Sequence, residues 1–150
     1  MKELPIVNPF QSLHDYETFV YTLKQRYLAI RRSTLVIVPQ GRGTAVLKGE
    51  LTFLDGYRIT LWEQLTIDTS AVVIDSYGYE LWHNTDKIAW YDPQPHPNNP
   101  LLASTHPHHK HVPPDIKHNR IPAPGLSFTQ PNLPLLIQEI EQLIAQHGTK

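Results

Sequence analysis

The sequence predicts an α+β domain in which an N-terminal and a C-terminal helix pack on one face of an antiparallel meander of about five strands. Apolar residues recur at helical spacing near both ends of the chain, and between them the apolar period falls to two. The chain has 150 residues, of which 40% are hydrophobic and 18% are charged, so we expect a single globular domain spanning 1–150.

The composition excludes several kinds of site. The chain has no cysteine, which excludes disulfides and thiolate metal ligands. Its formal net charge is -1, so no overall basic field attracts nucleic acid. We see neither a signal peptide nor an apolar run of about 18 residues, the length of a membrane span. We therefore expect a cytoplasmic protein that makes no membrane contact.

The first helix is predicted over about Leu13 to Arg31. Ser12, with Asp15 three residues further on, resembles a capping box at its start. One apolar stripe carries this prediction and consists of Tyr16, Phe19, Val20, Leu23, Tyr27 and Ile30.

Strands follow, because short turns separate segments of alternating polarity. Asp55-Gly56 is a strong hairpin signal, and Asn84-Thr85-Asp86 marks a second turn. The predicted strands are Thr34–Val38, Thr44–Phe53, Tyr57–Ile67, Ala71–His83 and Lys87–Asp92. Three tryptophans on them, which are Trp62, Trp82 and Trp90, are expected in the core or at a contact surface.

The periodic pattern stops from Gln94 to Pro134, where ten of the fourteen prolines lie. A segment of this length without periodicity is either functional or disordered, and we expect an extended functional loop that wraps the sheet. The last helix follows, with Asn132 as a candidate cap, Gly148 as the stop and an apolar stripe of Leu133, Leu136, Ile137, Ile140, Leu143 and Ile144.

The loop contains the run His106-Pro107-His108-His109-Lys110-His111. Histidine exchanges a proton near neutral pH and is the commonest metal ligand. In an extended chain His106 and His108 share one side, and His109 and His111 share the other. A catalytic loop and a solvated His-rich loop are both open interpretations.

Polar side chains on the strands are candidates as well. Glu63 falls in register with an apolar face, so it is either a functional carboxylate or is turned outward by a β-bulge. Tyr77 and Tyr79 share a face and are either ordinary strand residues or part of a polar strip. Asp92 and His96 flank a turn, which suits both a site and plain turn chemistry.

In the order of its elements and motifs, the chain resembles the TumE-like family of toxins from toxin–antitoxin pairs. The resemblance rests on the Tyr77-Gly78-Tyr79 strand, the strand end Tyr91-Asp92 with a Pro95-His96 step, and the Pro107-His108-His109-Lys110-His111 loop. The family's strand end reads approximately Tyr-Asp-Asn-Ala-Pro-His-His, from which this chain departs at Pro93, Gln94 and Pro97. The resemblance implies a toxin that is neutralised by an antitoxin, often a helix-turn-helix protein.

Our leading hypothesis is a metal-independent endoribonuclease, which would need no cofactor and could form a homodimer. One loop histidine takes the 2′-OH proton, a second histidine or Tyr77 serves the leaving group, and Glu63 orients a histidine. The expected catalytic residues are His108, His109, His111, Glu63 and Tyr77. The expected RNA-binding residues are Lys110, Arg58, Tyr79, Asp92, His96, Lys117 and Arg120.

Two alternatives belong to other classes. The chain could be a binding module without catalysis, which holds nucleic acid or protein through the basic loop and the tyrosine pair. It could also be a metal-dependent nuclease or hydrolase with a divalent ion on the histidine cluster, held by His106, His108 and Asp92.

Overall fold

The computed structural model describes residues 8–68 and 71–148, and in these it contains one antiparallel sheet of eight strands with helices on one face. This confirms the α+β class, but about five strands is too few. The helices are α1 (Leu13–Tyr21), α2 (Leu23–Arg26) and α3 (Leu133–Gly148). The strands are β1 (Ile30–Ser33), β2 (Val36–Pro39), β3 (Thr44–Phe53), β4 (Tyr57–Asp68), β5 (Ala71–His83), β6 (Asp86–Asp92), β7 (His109–His111) and β8 (Arg120–Pro122).

The N-terminal helix is shorter than predicted. Ser12 caps α1 by accepting a 3.0 Å hydrogen bond from the Asp15 backbone N–H, as the capping signal indicates. At Thr22 the backbone leaves helical geometry and the hydroxyl donates to the Thr18 carbonyl, which competes with the helical ladder. The chain becomes extended at Tyr27, and Ile30 begins a strand that pairs with β3.

The sheet has two faces with different surroundings. Strands β3 to β8 pair in chain order, and β1 and β2 both pair with β3. The inner face carries the buried alternating residues of β4, namely Tyr57, Ile59, Leu61, Glu63 and Leu65, and the helices cover it. The outer face carries the opposite set, which includes Arg58, Thr60 and Trp62.

The segment between β6 and α3 is more ordered than the predicted extended loop of 94–134. A 3₁₀ helix spans Pro100–Thr105, and β7 and β8 then extend the sheet beyond β6. Strand β6 would otherwise expose its N–H and C=O groups as a sheet edge, and β7 pairs with them. Three-residue strands are too short to show a period of two, so the pattern in the sequence could not reveal them.

Helix α3 completes the core on the inner face. Its apolar stripe lies where the sequence places it, and Leu133, Leu136, Ile137 and Ile140 are all fully buried. In the described part of the chain, no helix is both long enough and apolar enough to cross a membrane.

Candidate functional site

Two imidazoles and one carboxylate meet at the boundary between β6 and β7. His109 lies directly opposite Asp92 in the sheet register, and His111 lies opposite Trp90. The Nε2 atoms of His109 and His111 are 3.2 Å apart. The Asp92 carboxylate places Oδ1 at 3.2 Å from the first and Oδ2 at 3.0 Å from the second. We call Asp92, His109 and His111 the β6–β7 cluster.

Backbone and aromatic contacts fix the rings of this cluster. Nδ1 of His109 lies 3.2 Å from the Pro107 carbonyl oxygen, and Nδ1 of His111 lies 2.8 Å from that of Ile116. Trp90 stacks on His111 with 4.1 Å between ring centroids. Both histidines are buried, with 1% and 2% of their surface exposed. Burial lowers the pKa of His109.

Two of the predicted RNA-binding residues lie close to the β6–β7 cluster. The ring of His96 contacts His109 edge-on at 4.9 Å, and burial lowers its pKa. Arg120 pairs with His111 in the sheet, and its Nε is buried without a hydrogen-bond partner within the described residues. A half-buried guanidinium with a free N–H beside two imidazoles is suited to an anionic ligand.

Glu63 lies on the inner face, apart from these histidines. It is fully buried and accepts two hydrogen bonds of 2.5 Å, from the Tyr16 phenol at Oε1 and from the Tyr79 phenol at Oε2. The Asn132 side-chain amide donates to the Tyr79 hydroxyl at 3.0 Å. Burial raises the pKa of Glu63 to about 7, although both tyrosine hydrogen bonds lower it. The structure therefore pairs Glu63 with phenols and not with the histidine that we expected it to orient.

His108 points to the opposite side from its neighbour His109. Its Nδ1 lies 2.5 Å from the Tyr77 hydroxyl, and its ring stacks on Tyr77 and contacts Phe128. Burial lowers the pKa of His108 and raises that of the Tyr77 phenol. The predicted metal set of His106, His108 and Asp92 is therefore not brought together, since His106 is exposed and the other two lie on different faces.

The remaining predicted cations lie away from the β6–β7 cluster. Lys110 is on the inner face, where its Nζ contacts Glu139 Oε2 at 2.8 Å and the Tyr91 phenol donates to the same carboxylate. Arg58 is on the outer face with its guanidinium 4.6 Å above the Trp82 ring. Lys117 is exposed.

A groove beside the cluster involves three residues that we did not predict as a site. These are Trp62, Gly78 and Trp90, which together with the predicted residue Asp92 line a groove of about 380 Å³ on the outer face. Trp62 is 44% exposed, and a side chain at Gly78 would clash with its indole, since an added Cβ would lie 2.5 Å from Nε1. The alternation of β4 placed Trp62 opposite the apolar face, which is the signal that could have identified it.

Comparisons with known proteins identify a matching family. A protein-family model described as "Toxin TumE" matches residues 19–144 of the chain. No curated protein and no solved structure matches it. The matched range includes all eight strands of the described residues, the β6–β7 cluster and most of α3.

Proposed function

Since this chain belongs to the TumE toxin family and is the toxin component of a toxin–antitoxin pair, we propose that it acts by cleaving single-stranded RNA at the β6–β7 cluster. The observation that carries the proposal is that Asp92, one member of the cluster, also lines an open groove together with Trp62, Gly78 and Trp90. The family implies an antitoxin partner, and we propose a helix-turn-helix protein in that role.

The groove has the chemistry of a binding site for unpaired bases. Exposed aromatic rings stack on bases with little dependence on sequence, and single-stranded RNA presents unstacked bases for this purpose. Trp62 is accessible for such a contact, and the missing side chain at Gly78 lets its indole lie against strand β5. The sheet register places Lys48 of β3 directly opposite Trp62 of β4, which adds a cation on the β3 side of the tryptophan.

Charge near the cluster favours a phosphate over an uncharged substrate. Arg120 begins β8 and lies directly opposite His111 in the sheet register. The unpaired Nε of Arg120 is a donor that a phosphate oxygen would satisfy. These contacts support placing the scissile phosphate next to the two imidazoles.

The spacing of the two imidazoles favours a mechanism in which both act at the same oxygen of the reacting phosphate. It disfavours one in which they act as an acid and a base at two opposite oxygens. In phosphoryl transfer the attacking and leaving oxygens lie on opposite sides of phosphorus. A base and an acid that each stand within about 3 Å of their own oxygen must therefore be well separated. The Nε2 atoms of His109 and His111 are only 3.2 Å apart, so we propose that both serve the same side of the reaction.

The test uses purified, untagged protein and a labelled single-stranded RNA, with the matching DNA as a second substrate. We expect the wild type to cleave the RNA, and His109→Ala and Asp92→Asn to reduce the rate by at least about 100-fold. His118→Ala is the matched control. His118 forms an exposed pair with Asp115, with Nδ1 at 3.0 Å from Oδ2, and neither residue lines the groove. RNA binding without cleavage by the wild type would overturn the proposal and support a non-catalytic binding module.

A further inference from the structure

We infer that Asp92, His109 and His111 form a binding site for one divalent transition-metal ion. Their ligand atoms all lie within 4.8 Å of one another. The binding of the ion follows from the geometry of these side chains, whereas its part in RNA cleavage rests on the proposed function.

The first argument comes from the tautomer of each imidazole. A carbonyl oxygen only accepts hydrogen bonds, so a ring nitrogen that bonds to one must carry the proton. Nδ1 of His109 faces the Pro107 carbonyl, and Nδ1 of His111 faces the Ile116 carbonyl. In the neutral rings both Nε2 atoms therefore carry a lone pair and no proton. They point at each other and at a carboxylate.

Such an arrangement needs a positive species between its members. Two nitrogen lone pairs at 3.2 Å, with carboxylate oxygens at 3.2 and 3.0 Å from them, repel each other unless a cation stands among them. A metal ion would bind both Nε2 atoms and Asp92 at once. A single proton would satisfy one nitrogen at a time.

The distances agree with metal coordination. Ligands about 2.0–2.1 Å from a tetrahedral zinc ion lie about 3.3 Å from one another. The two Nε2 atoms are 3.2 Å apart, and a different oxygen of Asp92 lies near each of them, Oδ1 at 3.2 Å from His109 and Oδ2 at 3.0 Å from His111. The nitrogens therefore have the spacing of two ligands of one ion, and the carboxylate lies where either or both of its oxygens can bind the same ion.

The surroundings hold the ligands in place as they do in metal sites. Carbonyl oxygens that accept from the second nitrogen of each histidine fix the ring orientation, which is the usual support of a metal-bound imidazole. The backbone N–H of Gln94 donates to Asp92 Oδ1 at 2.9 Å. Since β6 and β7 are paired strands, the three ligands sit on a rigid part of the sheet.

The ligand set selects the kind of ion. Two imidazoles and a carboxylate suit zinc and its neighbours in the first transition series, whereas magnesium and calcium prefer oxygen ligands alone. Three protein ligands leave a further position for water or substrate, as in catalytic zinc sites. Asp92 also lines the groove, so that position has a route to the proposed RNA site. A bound ion would supply a Lewis acid and a water that is acidic near neutral pH.

The test is isothermal titration of untagged, EDTA-treated protein with zinc chloride, and separately with magnesium chloride. We expect about one zinc ion per chain, no magnesium binding, and affinity at least about tenfold weaker in His109→Ala, His111→Ala and Asp92→Asn. His118→Ala should bind zinc as the wild type does, because His118 and Asp115 are exposed and no third metal ligand lies beside them within the described residues. Thermal unfolding of each variant without metal shows whether it is folded.

The outcomes separate this inference from the proposed function. A wild type that binds zinc no better than the Asp92→Asn variant would overturn the metal site. If that wild type still cleaves RNA in EDTA, the ribonuclease proposal stands without the metal. A wild type that binds one zinc ion but leaves RNA intact would keep the metal site and overturn the ribonuclease. If the variants fail to fold, the wild-type stoichiometry and the rise of its unfolding temperature with zinc still decide the question.

Discussion

The phenol of Tyr16, on the first helix, donates a 2.5 Å hydrogen bond to Oε1 of Glu63 in the middle of strand β4. Tyr79 on the adjacent strand donates to the other carboxylate oxygen at the same distance. A buried carboxyl group thus joins α1 to the centre of the sheet. Its hydrogen bonds are within the fold and not with the loop histidines, which indicates a role in stability and its pH dependence.

The first prediction concerns pH and stability. Burial raises the pKa of Glu63 from 4.5 to about 7, so the folded state binds this proton more tightly than the unfolded state does. The resulting stabilisation is fully present below about pH 4.5 and is lost as the pH rises through about 7, a change of about 3 kcal/mol in the free energy of unfolding. Urea denaturation across this range measures it.

Glu63→Gln is the reference for that experiment. The amide does not titrate, so the difference between the two pH profiles isolates Glu63 from the nine histidines of the chain. If the wild type and Glu63→Gln show parallel profiles between about pH 4 and 8, the raised pKa is wrong.

A second prediction concerns the donor to this carboxylate. Tyr16→Phe leaves a buried acceptor with one partner fewer, and we expect a loss of about 1–3 kcal/mol in the free energy of unfolding. Because the Tyr16 hydrogen bond lowers the pKa of Glu63, its removal should also move the stability transition to higher pH. Tyr21→Phe is the control, since Tyr21 is 52% exposed and accepts a single hydrogen bond from the Ile37 N–H. Equal losses in the two variants would contradict the buried role of Tyr16.

The position of Glu63 could be predicted from sequence, because period-two alternation fixes which face each residue of β4 occupies. Its partners could not, because Tyr16 reaches it only through the packing of α1 across the sheet. The same difference applies to the histidine loop. Alternation correctly predicts that His109 and His111 share a side, but their meeting with Asp92 depends on the pairing of β7 with β6.

The boundaries that were wrong have a common cause. The predicted helix to Arg31 continued through Tyr27 and Ile30, whose spacing suits a helix as well as an extended segment. Tertiary pairing of Ile30 with Phe53 decides between the two, and a local pattern does not contain it. The proline-rich composition likewise concealed β7 and β8, because β7 forms by pairing with the edge of β6 and β8 forms by pairing with β7.

A third prediction uses two adjacent histidines on opposite faces. His109→Ala removes a member of the β6–β7 cluster and should abolish both toxicity and RNA cleavage. His108→Ala removes the partner of Tyr77 on the inner face, so we expect at least about a tenth of the activity to remain, with stability lowered by about 1 kcal/mol. Growth arrest on induced expression and cleavage in vitro measure the two effects. Equal loss of activity in both folded variants would place the reaction elsewhere.

The last prediction concerns the outer groove. Trp62 is 44% exposed on the outer face, and base stacking on an aromatic ring contributes about 1–3 kcal/mol per base. Trp62→Ala should therefore weaken binding of single-stranded RNA by at least about fivefold, while Trp62→Phe keeps a ring and most of the affinity. Binding is measured by fluorescence anisotropy of a labelled oligoribonucleotide in EDTA, with every variant made in the His109→Ala background, so that neither metal nor cleavage contributes. Gly78→Ala should act as Trp62→Ala does, because its Cβ would lie 2.5 Å from the indole Nε1 and displace the ring. Wild-type affinity in both Trp62→Ala and Gly78→Ala would show that RNA does not bind in this groove.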